Sequence, residues 1–231
     1  MKKNSQGARR HTVNAEYFKN ITTPQQAYWL GFIMADGCVY HGSDKNSYRL
    51  QINLSAVDAE HLSKFNKAIE SDYAIIRKAI HNKKTGKDYE VVQLKINCTQ
   101  MCKDLIALNV TPKKSLTCEF PDLDQSLLPH YLRGYFDGDG CITESKGKWH
   151  ISIVGGEPML RSLQDYLVDN DISSAIYQIN HSKAVSLEIS NLKSISRFYK
   201  LIYEEADVLL ERKYEKFAAF NLSRHTGMCG Q

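Results

Sequence analysis

One eleven-residue pattern occurs twice in this chain, and it constrains the fold more than any other feature. Trp29-Leu30-Gly31-Phe32-Ile33-Met34-Ala35-Asp36-Gly37-Cys38-Val39 aligns with Leu132-Arg133-Gly134-Tyr135-Phe136-Asp137-Gly138-Asp139-Gly140-Cys141-Ile142, 103 residues further on. Each copy runs apolar residue, a variable residue, Gly, two apolar residues, a variable and a small residue, then Asp-Gly-Cys and a β-branched residue. Internal repetition at a fixed offset means two copies of one structural unit.

The elements after each copy come in the same order. Tyr48–Ser55 alternates strictly, the period of a half-buried strand. Residues 58–70 read as an amphipathic helix, 73–80 and 90–97 as strands about a polar turn carrying Lys83, Lys84 and Lys87, and 99–108 as a helix. In the second half, strands are expected at 141–144 and 149–154, a helix at 157–169, strands at 175–180 and 184–190, and a helix at 191–205. Each half is therefore α-β-β-α-β-β-α, an α+β class. Residues 111–125 lack periodicity and contain two prolines, so they read as the linker. The expected organisation is a basic extension at 1–22, a first repeat at 23–110, the linker at 111–125, a second repeat at 126–220 and a tail at 221–231.

The repeated segment reads as a helix. Thr23-Pro24-Gln25-Gln26 fits a capping box with proline in the first turn, and Pro129 suits the same position in the second copy. Gly31 and Ala35, like Gly134 and Gly138, are four apart and share one helix face. Glycine inside a helix costs about 0.5–1 kcal/mol relative to alanine, so a smooth face for close backbone approach is the compensating reason. The natural partner of each helix is its counterpart in the other half. Asp36 and Asp139 then end the two helices side by side. Carboxylates are disfavoured at a helix C-terminus and repel each other, and a divalent cation removes both objections. An all-oxygen site of this kind suits Mg²⁺. The alternative, Asp-Gly as a common turn dipeptide, explains one copy better than two at matched positions.

Charge is divided unevenly: residues 1–114 carry +8 and residues 115–231 carry −4, within a net +4. A basic half suits a polyanionic partner. Lys2, Lys3, Arg9 and Arg10 in the N-terminal tail and Lys83, Lys84 and Lys87 in the turn are the expected phosphate contacts. No apolar run reaches the roughly 18 residues that span a bilayer, and no apolar segment follows Met1-Lys2-Lys3, so the expectation is a protein of the cytoplasm or an organellar matrix with no membrane partner. Cys38, Cys98, Cys102, Cys118, Cys141 and Cys229 lack zinc-site spacing and read as reduced thiols.

Both copies resemble the LAGLIDADG motif of homing endonucleases. The second, LRGYFDGDG, is close to a common form, and the first, WLGFIMADG, has Met34 at a variable position. Asn14-Ala15-Glu16-Tyr17-Phe18 and the stretch Ala27–Phe32 are similar to intron-encoded or free-standing members, and the resemblance spans roughly residues 12–220. It implies a single-chain, two-motif, pseudo-twofold αββαββα protein in which two four-stranded antiparallel saddle sheets lie in the DNA major groove and the paired motif helices form the domain interface. It implies a monomeric endonuclease with Asp36 and Asp139 as catalytic, metal-binding residues. The backbone carbonyls of Ala35 and Gly138 would assist, with two or more Mg²⁺ ions as cofactor and Mn²⁺ as a substitute. Each strand of a long asymmetric target would be hydrolysed once, leaving short 3′ overhangs. Basic residues accompany such metals in the family, and Lys95, Lys114 and Lys213 are the candidates, with solvated surface lysines as the alternative reading.

The expected DNA-reading residues alternate on the sheets: Arg49, Gln51, Asn53 and Ser55, then Gln93, Lys95 and Asn97 in the first half; His150, Ser152, Gln178, Asn180, Ser186, Glu188 and Ser190 in the second. Arginine suits guanine, glutamine or asparagine suits adenine, and glutamate accepts from cytosine. An ordinary solvated sheet face is the plain alternative. The rival functions on the same fold are an intron RNA maturase, with intron RNA as partner, and a non-cutting DNA-binding regulator. Degenerate regulators usually lose the acidic residues, which this chain keeps in both copies, whereas maturase activity is compatible with cutting. The ends, Met1 and Met228-Cys229-Gly230-Gln231, lack splice-junction residues and argue against an intein.

Overall fold

The computed structural model describes residues 11–41, 47–82, 86–111 and 118–227. Lys2, Lys3, Arg9, Arg10, Lys83, Lys84, Lys114 and Cys229 lie outside the described residues.

The first half runs α1 (Pro24–Asp36), β1 (Gly37–His41), β2 (Tyr48–Ser55), α2 (Ala59–Ala68), β3 (Ile76–Asn82), β4 (Lys87–Ile96) and α3 (Thr99–Ala107). The second repeats it: α4 (Leu128–Asp139), β5 (Gly140–Ser145), β6 (Lys148–Gly155), α5 (Glu157–Asp169), β7 (Ala175–Gln178), β8 (Val185–Ile189) and α6 (Leu192–Tyr203). The two antiparallel sheets share one topology, β1-β2-β4-β3 and β5-β6-β8-β7. The two αββαββα repeats follow from the alternating strands and capped helices. Thr23 accepts from the Gln26 backbone and Gln26 caps Thr23 in return, so the capping box forms.

In each sheet one face is core and the other is open. Leu50, Ile52, Leu54, Val92, Leu94 and Ile96 are buried against α2 and α3, and Ile151, Ile153, Leu187 and Ile189 against α5 and α6. Because side chains alternate, this leaves Arg49, Gln51, Asn53, Gln93 and Lys95 together on the other face.

Three features add to the expected boundaries. A further helix, α7 (Glu211–Gly227), runs through the boundary expected at 220. It docks through Lys213, Phe217 and Phe220, all buried at helical spacing, with Phe217 packing on Phe136 and Phe220 on Trp149. A charged residue at the first of these positions hid its apolar face. The extension expected to end at 22 is not all tail: Phe18 is fully buried and packs on Phe65, and the Asn14 amide donates to the Ile69 carbonyl. The linker also contributes to the core, since Cys118 is buried and Phe120 packs on Tyr131 and Tyr166.

Candidate active site

The site begins with the α1–α4 contact. A Cβ on Gly31 would stand 2.0 Å from the Tyr131 carbonyl oxygen and 2.9 Å from the Tyr135 amide, and one on Gly134 would stand 1.9 Å from the Tyr28 oxygen and 2.8 Å from the Phe32 amide. Adding or subtracting the repeat offset interchanges these two sets of contacts, so the helices meet isologously about a pseudo-twofold. The contacts ascend together along both helices, hence the pairing is parallel. Further along, a Cβ on Gly138 would lie 2.3 Å from the Ala35 Cβ and 3.4 Å from Asp36 Oδ2. The small-residue face therefore brings the ends of both helices, and both acidic residues, to one place. Asp36 is half-buried and Asp139 exposed, so the site opens to the surface.

Of the three lysine candidates, one is delivered here. Lys213 is 5% exposed. Its ammonium donates to the Phe136 carbonyl at 2.7 Å and the Gly138 carbonyl at 3.0 Å, and sits 5.4 Å from the Phe136 ring centroid. Burial pulls the ammonium down to about 8, against the attraction of Asp137, Asp36 and Asp139. Lys95 lies instead on the open sheet face, in register with Gln51 and thus one strand removed from Cys38.

Two residues of α4 that sequence reading passed over hold Lys213 in place. Asp137 is fully buried and accepts from Tyr28 Oη at 2.8 Å, from Tyr203 Oη and from the Leu210 amide at 2.8 Å. Burial raises its carboxyl to about 6, partly offset by those three donors. One turn earlier, the Arg133 guanidinium is 1% exposed and donates to the carbonyls of Ile202 at 2.9 Å and Val208 at 2.8 Å. The pair thus fixes the 202–210 connection that leads into α7. Arg212 adds a two-oxygen contact to Asp58 at 2.9 and 3.0 Å, and Glu211 pairs with Lys64, so the start of α7 is tied to the first half as well. The first motif has Leu30 and Met34 at the corresponding positions, both buried and apolar. The available signal was the charge of Arg133 and Asp137 on a helix otherwise reading as core.

On the open faces, Arg49, Gln51, Asn53, Gln93 and Lys95 are assembled in register, and Asn97 is exposed just beyond β4. Gln93 is only 8% exposed, held by Asn53 and by Lys78, a neighbour that alternation in β3 did not single out. Arg49 lies over the Tyr40 ring. In the second sheet His150, Ser152, Ser186 and Glu188 share the open face, with His150 Nε2 3.5 Å from Glu188 and Ser186 donating to the same carboxylate. Gln178 does not join them. It pairs with core-facing Val185, whereas Tyr177 pairs with Ser186 and takes the open position. β7 ends at Gln178, so Asn180 and the expected continuation to 180 lie in the following turn, and Ser190 is exposed just past β8.

The donor set fits Mg²⁺. The oxygens that the structure brings to this end are the Asp36 and Asp139 carboxylates, both close enough to act on the Lys213 ammonium, and the Gly138 carbonyl, which accepts from it. Among the described residues no three His, Cys, Asp or Glu side chains converge. One or two carboxylates completed by phosphate oxygens and water are the usual protein share of a Mg²⁺ site.

Residues 128–203 match the family model described as a LAGLIDADG-like domain, and residues 25–97 match that of the WhiA LAGLIDADG-like domain. Among solved structures, the I-AabMI LAGLIDADG meganuclease bound to uncleaved DNA is 15% identical, with a TM-score of 0.57 over 89% of this chain and 92% of that one. The I-LtrWI LAGLIDADG homing endonuclease bound to target DNA is 13% identical, with a TM-score of 0.59 over 94% and 92%. Full-length WhiA from Thermatoga maritima is 21% identical, with a TM-score of 0.55 over 91% of this chain and 65% of that one. A comparison with curated proteins finds no sequence match. No helix among the described residues is long and apolar enough to cross a membrane.

Proposed function

Because the chain belongs to the LAGLIDADG family, with one such domain in each half, we propose that it is a monomeric, site-specific DNA endonuclease that hydrolyses one phosphodiester in each strand of a long asymmetric duplex and leaves short 3′ overhangs. The observation that carries this reading is the convergence of Asp36, Asp139 and Lys213 at one surface-open end of the α1–α4 pair.

Asp36 and Asp139 would hold Mg²⁺, and the backbone carbonyls of Ala35 and Gly138 would assist. Bound there, the metal supplies Lewis-acid stabilisation of phosphoryl charge and a more acidic water. The chain's own share is positional. The α1–α4 contact fixes the spacing of the carboxylates, and backbone clashes forbid larger residues at Gly31 and Gly134. Lys213 adds a positive charge, held by α7, where a phosphate would meet the acidic ends. The open faces grip the duplex on either side. The first presents Arg49, Lys78 and Lys95, and the second presents a His150–Glu188 pair, so the two half-sites differ.

A second reading, a non-cutting DNA-binding protein, is favoured by the match of residues 25–97 to the WhiA model. Both are tested by incubating the protein with a randomised duplex library in Mg²⁺ or in EDTA. Metal-dependent double-strand cuts at one long site support the nuclease. Selective retention of one site without cutting supports the second reading. A protein that neither cuts nor retains any duplex overturns both.

A further inference from the structure

The open face of the first sheet contains a chain of side-chain amides whose polarity is fixed at one end. Lys78 Nζ lies 2.8 Å from Gln93 Oε1, Gln93 Nε2 lies 2.6 Å from Asn53 Oδ1, and Gln51 Nε2 approaches the same Asn53 oxygen at 3.5 Å. An ammonium has three donors and no acceptor, so the Gln93 oxygen must face Lys78. The Gln93 amino group must then face Asn53, and Asn53 must turn its oxygen inward. A carbonyl oxygen has two lone pairs: Gln93 takes one at 2.6 Å, and the Gln51 amino group stands in front of the other at 3.5 Å. Gln93 is only 8% exposed, so water does not readily replace either neighbour, and its amide takes the orientation that suits both. What exposed Asn53 offers outward is therefore its amino group alone.

That outcome contradicts the simple expectation that an asparagine in this position reads adenine. The adenine pairing needs an outward acceptor for N6–H as well as a donor for N7, whereas guanine presents two acceptors, N7 and O6, to the major groove. We infer that Asn53 selects guanine and rejects adenine at one base pair of the first half-site, and that Lys78, acting through Gln93, is the residue that sets this preference. The inference rests on the reading that this face lies against duplex DNA. Lys78 is a positioning residue, and the choice of base is made by Asn53.

Reversing the end of the chain reverses its output. A carboxylate at 78 accepts and cannot donate, so in Lys78→Glu the Gln93 amino group turns toward it, the Gln93 oxygen turns toward Asn53, and Asn53 exposes its oxygen beside one N–H, the adenine pattern. The experiment is selection from a randomised duplex in EDTA, where cutting cannot intervene. It uses the wild type, Lys78→Glu, and Arg77→Glu as a charge-matched control whose side chain lies out of phase, against Glu90. Asn53→Ala identifies the base pair as the position where selection flattens. The expected result is guanine over adenine by about tenfold at that position in the wild type and in Arg77→Glu, and the inverse in Lys78→Glu. Wild-type selection of adenine there, or one preference shared by Lys78→Glu and Arg77→Glu, overturns the inference. A wild type that retains no duplex at all would remove the DNA reading itself, and the inference with it.

Discussion

The Lys213 ammonium donates to the Gly138 carbonyl at 3.0 Å, next in sequence to Asp139, although the two residues lie 75 positions apart in the chain. The contact places a positive charge at one acidic end, and its supports, Arg133 and Asp137, have apolar counterparts in the first motif. The two strands of a target should therefore depend on Lys213 unequally. Lys213→Met is expected to slow cleavage of one strand by about 10²-fold, the usual cost of deleting one preorganised charge donor, and the other strand much less. Strand-resolved gels on end-labelled duplex read the ratio, which general loss of stability would not change.

Asp137 should act through Lys213 without touching substrate. Asp137→Asn replaces an acceptor of three hydrogen bonds with a group that is half donor, so the Leu210 amide and the two tyrosine hydroxyls lose their common partner. Release of the start of α7 is the expected outcome. Amine-reactive labelling followed by mass spectrometry should show Lys213 protected in the wild type and modified at least about tenfold faster in the variant, a decrease of roughly 1.4 kcal/mol in the free energy of opening. Equal labelling rates would show that Asp137 does not anchor it.

The helix contact makes a stability prediction whose sign is not obvious. Gly31→Ala or Gly134→Ala gains about 0.5–1 kcal/mol of helix propensity. The new methyl would overlap backbone atoms at 2.0 and 1.9 Å, which no rotamer can relieve. Overpacking of this kind costs about 1–3 kcal/mol or more, so packing wins and both variants should unfold at lower denaturant. Gly138→Ala should be destabilising through the Ala35 methyl, and Ala35→Gly in the same chain should recover most of the loss. Additive losses in that double variant would contradict the arrangement.

Stability against pH should expose two buried groups that oppose each other. Burial lowers His61 to about 4, so its contribution is complete above about 6.5 and is lost as pH falls toward 4, about 3 kcal/mol in all. Asp137 is raised to about 6, so its contribution is complete below about 4 and is lost as pH rises through 6, by a similar amount. Tyr28 touches both residues, with its hydroxyl 2.9 Å from His61 Nε2 and 2.8 Å from Asp137. Between pH 4 and 6.5 the difference in unfolding free energy between wild type and His61→Asn should grow with pH by roughly 3 kcal/mol. Denaturant titrations at several pH values measure it, and a constant difference would contradict the assignment.

The duplicated helix, the strand alternation and the order of elements were legible because each depends on local chemistry: a capping box at Thr23, small residues four apart, and period-two apolar residues such as Leu50, Ile52 and Leu54. What escaped reading depends on long-range contact. α7 was hidden because the residue that leads its buried face, Lys213, is satisfied by carbonyls from α4 and not by apolar packing. The roles of Asp137 and Arg133 depend on partners at 202–210, remote in sequence from α4. Gln178 was assigned to the open face by its polarity, yet register with Val185 sets its phase, and register across strands is not written in one strand's sequence. Asn53 was placed correctly on the open face, but which of its atoms points outward depends on Lys78, two strands away.

The most direct test of the central claim is strand-resolved cleavage of the selected target by Asp36→Asn and Asp139→Asn, with binding measured alongside. Each variant should bind the target near wild-type affinity and fail to make the Mg²⁺-dependent double-strand break, yielding intact duplex or a single nick. Wild-type cutting of both strands by either variant would contradict the assignment of the paired carboxylates.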